Sequence, residues 1–113
     1  MIYGVGIDVV DIDRIKQTLE RTLSLKQKFF TETERSKSIQ SLAAKFAAKE
    51  ALIKALDTER GILWHEAEVM NLESGKPVFN FYGAVAGLMD GANVHLSISH
   101  DAGVATAIVI VEH

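Results

Sequence analysis

A chain of 113 residues, 48% of them hydrophobic, has the length of a single domain (1–113) and enough apolar material for a core. It contains no cysteine, which excludes disulfides, thiolate metal sites and a cysteine nucleophile. The net charge of −3 conceals a segregation: ten of the twelve basic residues lie between Arg14 and Lys54 against four acidic ones, a local balance of +6, while the rest of the chain balances at −9. This pattern predicts a positive surface for an acidic partner or a phosphate ligand, and without a basic run or a recognisable motif nucleic acid is not the expected partner.

Residues 1–10 alternate as a strand, with Val5, Ile7 and Val9 on one face and Gly4, Gly6, Asp8 and Val10 on the other. Two glycines strip side chains from the face that carries Asp8, and glycine in a strand marks close approach by a ligand or another backbone. Asp8 also interrupts the first apolar run, and no basic segment precedes it, so no signal peptide is expected. No apolar run is long enough to span a membrane; the expected location is cytoplasmic. Asp11 or Asp13 caps the next helix, whose apolar stripe is Ile12, Ile15, Leu19 and Leu23. Arg14 and Arg21, seven residues apart, share a different face, a dock for an acidic protein.

A short helix, LSLKQKFF, follows, then a new start at Thr31 or Thr33; Thr31 with Glu34 fits a capping box. A long helix then runs to about Leu56, with a break near Ser36–Ser41. Its stretch AAKFAAKEALIKAL (43–56) has no Gly or Pro and is rich in strong helix formers. Leu42, Phe46, Ile53 and Leu56 fall on one side and six alanines on the other, so it lacks an ordinary wet face and is expected to be buried. Lys45 and Lys49 lie within the apolar arc, with Glu50 and Lys54 at its edge. Charges so placed are costly unless paired or bound; snorkelling lysines and an i,i+4 Glu50–Lys54 pair are one outcome, a metal-assisted site for an anionic ligand the other.

Residues 57–65 form a connection, 66–73 and 78–82 are the strands of a hairpin around Ser74-Gly75-Lys76-Pro77, and 84–90 a short helix ending by Gly91. Over 93–99, Val94, Leu96 and Ile98 face the core while His95, Ser97 and Ser99 face away. His100-Asp101-Ala102-Gly103 is read as a turn. Residues 104–111 are apolar on both faces, as in a central strand. The fold class is α+β, a mostly antiparallel sheet of these strands packed on the long central helix.

Four separated pieces, GIDVVDIDRI (6–15), KFAAKEALIKAL (45–56), SGKPVFNFYG (74–83) and SISHDAGVATA (97–107), together with FTETE (30–34), make the chain resemble the bacterial holo-acyl-carrier-protein synthases, the short 4′-phosphopantetheinyl transferases. The resemblance runs from end to end. It implies transfer of phosphopantetheine from coenzyme A to a serine of apo acyl carrier protein, leaving adenosine 3′,5′-bisphosphate. It also implies a Mg²⁺ requirement and a homotrimer with sites between subunits. By the same resemblance Asp8 of GID and Glu50 of KEA bind the metal; Lys54, one turn after Glu50, is by its position expected to assist catalysis. Lys45 and Lys49 contact coenzyme A phosphates, Ser99 and His100 of SISH contact the nucleotide phosphates, and Gly75, Lys76 and Pro77 border the adenine pocket. Arg14 and Arg21 dock the acidic carrier.

The chemistry is coherent with these residue types. Mg²⁺ typically takes one or two carboxylates, waters and phosphate oxygens, and attack on a pyrophosphate needs its charge neutralised. The attacking serine belongs to the partner, so no nucleophile of the chain's own is required; which group takes its proton stays open. Two positions depart from the family: Lys45 replaces the usual arginine and lacks its bidentate fork, and Asp57-Thr58-Glu59-Arg60-Gly61 replaces a glycine-rich turn. The alternatives are a non-catalytic nucleotide-binding trimer and a Mg²⁺-dependent phosphohydrolase.

Overall fold

The computed structural model describes residues 1–57 and 63–113. Along the chain run β1 (Ile2–Asp11), α1 (Ile12–Arg21), α2 (Ser24–Phe29), α3 (Glu32–Arg35), α4 (Ile39–Leu56), α5 (Leu63–Glu66), β2 (Ala67–Asn71), β3 (Pro77–Phe81), α6 (Gly83–Leu88), β4 (Asn93–Asp101) and β5 (Val104–Glu112). The α+β class is as expected. The single sheet is not: β1, β5 and β4 form one antiparallel sheet in that order, with β5 central as its sequence predicts, and β2 pairs only with β3. The outer edge of β2 is occupied by side chains instead of a strand. Glu34 Oε2 accepts from the Val69 N–H at 2.8 Å, and Lys45 Nζ donates to the Val69 carbonyl at 3.1 Å.

Helix α4 lies across β1 and β5. Its alanines Ala47, Ala51 and Ala55 are buried, and the strand opposite is stripped to match. A Cβ at Gly4 would stand 1.9 Å from the Ala55 carbonyl oxygen, and one at Gly6 1.8 Å from that of Ala51. The bare face of β1 therefore receives a helix backbone, not a ligand. The other face of that sheet is open and apolar: Val5, Ile7 and Val9 are 53%, 58% and 62% exposed, with Ile108 beside them.

The break before α4 is a true restart. Thr31 and Glu34 complete a reciprocal capping box on α3, and the Ser38 hydroxyl accepts from Ser41 N to cap α4. Such caps satisfy backbone donors that a helix start leaves unpaired. Asp57 closes α4 in a left-handed conformation. The remainder of the charged turn, Thr58–Gly61, lies outside the described residues. The expected four-residue turn at 100–103 shrinks to two: Ala102 and Gly103 carry φ of 51° and 78°, while His100 and Asp101 pair with Ala105 and Val104 as strand residues. Two consecutive positive φ values match the hairpin turn whose twist suits its strands. Among the described residues no helix is long and apolar enough to cross a membrane.

Candidate active site

A cleft of about 450 Å³ opens between the start of α4, the end of β4 and the β2–β3 hairpin. It is lined by Ser41, Lys45, Asn71, Gly75, Pro77 and His100, among others. Four predicted ligand-binding residues, Lys45, Gly75, Pro77 and His100, thus meet in one concavity from three elements. His100 arrives there because the shortened turn keeps it in β4, on the same face as Ile98. Gly75 sits at φ 93° in the hairpin tip, a conformation that favours glycine, and Asn71 Nδ2 braces it by donating to the Gly75 carbonyl at 2.9 Å. A second cleft of about 510 Å³, lined by Ile12, Asp13, Lys16, Gln40, Asp101 and Gly103, shares Gln40 and His100 with the first. His100 stands between the two.

Lys45 is only 3% exposed, and its one hydrogen bond among the described residues goes to the Val69 carbonyl. Burial pushes its pKa below the ordinary lysine value, and the Glu34 carboxylate opposes that shift. A buried ammonium with two N–H groups to spare at a cleft floor is suited to a phosphate.

Lys49 corrects the expectation for it. Its ammonium is fully buried and donates to Glu34 Oε1 at 2.6 Å, to the Trp64 carbonyl at 2.6 Å and to the Phe29 carbonyl at 2.9 Å. Three donors meet three acceptors, which leaves none for a coenzyme phosphate. Here too burial lowers the pKa and Glu34 raises it. Ser99 is likewise not with the cleft residues. It lies on the other face of the sheet, in a shallow depression with Ile7, Ser97, Thr106 and Ile108. Lys76 is exposed in the hairpin turn, where its carbonyl accepts from Leu72 N, and it does not line the cleft.

Asp8 and Lys54 come together across 46 positions of sequence. Lys54 Nζ donates to Asp8 Oδ1 at 3.0 Å and to the Ile7 carbonyl at 2.9 Å. Asp8 is turned toward α4 by strand alternation, with Gly4 and Gly6 below it against the helix. Glu50, 6% exposed, precedes Lys54 by one helical turn and so shares its side of α4. Arg14 and Arg21 stand exposed on α1.

Sequence reasoning missed Glu34 as more than a cap, and it missed Gln40 and Asn71 altogether. The capping-box spacing was the only signal for Glu34. Gln40 and Asn71 belong to no motif and become visible only when α4 and the hairpin enclose the cleft.

The family model described as the 4′-phosphopantetheinyl transferase superfamily matches residues 4–109. A holo-[acyl-carrier-protein] synthase of Leifsonia xyli is 49% identical over 115 residues, covering 99% of this chain and 98% of that protein. Among solved structures, the holo-[acyl-carrier-protein] synthase of Neisseria meningitidis superposes with a TM-score of 0.91 at 30% identity, covering all of both chains. An ACPS–CoA complex from Chronobacterium ammoniagenes gives a TM-score of 0.85 at 31% identity, covering 97% of this chain and 96% of that one. Sequence and fold agree over the same span, and on both the chain belongs to the 4′-phosphopantetheinyl transferase superfamily, within it to the holo-acyl-carrier-protein synthases.

Proposed function

We propose that this protein transfers the 4′-phosphopantetheine group of coenzyme A to a serine hydroxyl of apo acyl carrier protein. The observation that carries this reading is the convergence of Lys45, Gly75, Pro77 and His100 on one cleft in a chain whose near relatives include a protein solved with CoA. The serine hydroxyl gives up its proton to a base or to solvent, and its oxygen forms a new bond to the pantetheine-side phosphorus of the pyrophosphate. The bond from that phosphorus to the bridging oxygen breaks, and adenosine 3′,5′-bisphosphate leaves with the electron pair.

Each group has a task in that displacement. Lys45 and His100 hold phosphate oxygens, and the braced Gly75–Pro77 turn borders the nucleotide. Asp8 and Glu50 are the two carboxylates that would hold Mg²⁺. The donor set suits that ion, since oxygen ligands few enough to leave room for waters and phosphate are what Mg²⁺ takes. Asp8 already holds one cation, the Lys54 ammonium, at 3.0 Å. When bound, Mg²⁺ supplies charge neutralisation at the pyrophosphate. Lys54 is placed to offset charge that builds on the leaving phosphate.

Exposed Arg14 and Arg21 dock the acidic carrier. The open apolar face of β1 and β5 is the surface on which a homotrimer would assemble, bringing Ser99 against a neighbouring copy. Residues 1–113 then act as one cytoplasmic transferase domain in the lipid-synthetic chemistry that consumes holo carrier.

The test is to mix the protein with coenzyme A, Mg²⁺ and apo acyl carrier protein and to weigh the carrier. A mass gain of one phosphopantetheine group is expected. Adenosine bisphosphate released over an unmodified carrier would replace transfer by hydrolysis; an unmodified carrier with coenzyme A intact would leave a binding module.

A further inference from the structure

Glu34 sits at 1% exposure, on a helix of four residues too short to hold it rigidly. The capping box uses only part of it. Oε1 accepts from Thr31 N at 2.9 Å and from Lys49 Nζ at 2.6 Å, and Oε2 accepts from Val69 N at 2.8 Å. The carbonyl of that same Val69 is what Lys45 grips. In a strand the N–H and C=O of one residue point to the same edge, so one carboxylate fixes the peptide edge from which the Lys45 ammonium hangs. It is also the foremost opposite charge acting on Lys45.

We infer that Glu34 is a positioning residue for coenzyme A binding, holding the Val69 edge of β2 so that the Val69 carbonyl keeps the Lys45 ammonium at the cleft floor. This rests on the assignment of the cleft to coenzyme A. Lys49 serves the same end by neutralising the carboxylate from the other side: without it Glu34 would be a lone buried charge. Glu34 itself touches no ligand; it acts through Lys45. A merely structural Glu34 would lower stability without distinguishing one substrate from the other.

The experiment is calorimetric titration of coenzyme A into the full chain as E34Q, K45A and the double variant. Each single change is expected to weaken binding about tenfold, the loss of a hydrogen bond to a charged group. The double variant is expected to bind no more weakly than K45A, because Glu34 has nothing to position once the ammonium is gone. In steady state E34Q raises KM for coenzyme A while KM for the carrier and kcat stay within about twofold, as expected when binding shared by ground and transition states is lost, and E34D recovers part of the loss. Unchanged binding by E34Q, or losses that simply add in the double variant, overturns the inference while a weakened K45A keeps the cleft assignment. Unchanged binding by K45A overturns both. Should E34Q fail to fold, E34Q/K49M removes the stranded ammonium and is read in the same way.

Discussion

At the scale of single residues, charge is placed by what surrounds it. Asp8 and Lys54 are bonded at 3.0 Å where α4 meets β1. Asp8→Asn keeps an oxygen for Lys54 and removes the negative charge. It is expected to lower kcat by about a hundredfold or more while circular dichroism and the unfolding midpoint stay near wild type; full activity in that variant would refute a metal role. Lys49 tells a different story. Lys49→Met leaves the Glu34 carboxylate buried and unpaired, and is expected to cost about 3 kcal/mol or more in urea unfolding. Adding Glu34→Gln should return part of that loss, and two purely additive costs would show that the pair is not coupled.

At the scale of elements, the contact between α4 and β1 governs where Asp8 and Lys54 stand. Small residues face each other across it, so the backbones approach closely and carry Asp8 up to Lys54. Gly6→Ala puts a methyl 1.8 Å from the Ala51 carbonyl oxygen and 2.8 Å from the Ala55 nitrogen. Backbone atoms cannot step aside as a side chain can. The expected cost is about 3 kcal/mol, the upper range for overpacking, measured by urea unfolding, with activity falling as the Asp8–Lys54 pair separates. Near-normal stability and activity would mean that the interface is looser than its geometry. The β2–β3 hairpin is held to α3 and α4 through Val69, which is why a five-residue strand pair can form one wall of a cleft.

At the scale of the whole molecule, two surfaces lie open. The apolar face of β1 and β5 is expected to be covered by further copies of the chain. Val5→Glu places a carboxylate in that face and is expected to shift a trimer to monomer in sedimentation equilibrium, with loss of transfer if sites lie between subunits; a wild-type monomer would refute the assembly. On α1, Arg21→Glu is expected to raise KM for acyl carrier protein about tenfold, more at low salt than at high. Coenzyme A affinity should stay nearly intact, and equal loss for both substrates would count against docking.

Much was legible in the chain because local rules act over a few residues. The Thr31–Glu34 box, the unbroken helix through KEALIKAL, the alternation of β1 and β4 and the hairpin glycine at 75 each follow from spacing and backbone preference, and the motifs carried Lys45, Gly75, Pro77 and His100 to what became one cleft. Tertiary structure alone decided the rest. It turned Lys49 inward onto Glu34, split the sheet in two and made Val69 the hinge between a carboxylate and an ammonium. These outcomes depend on which distant group a buried charge finds for its hydrogen bonds, and no periodicity within a segment encodes the position of a partner 15, 24 or 35 residues away.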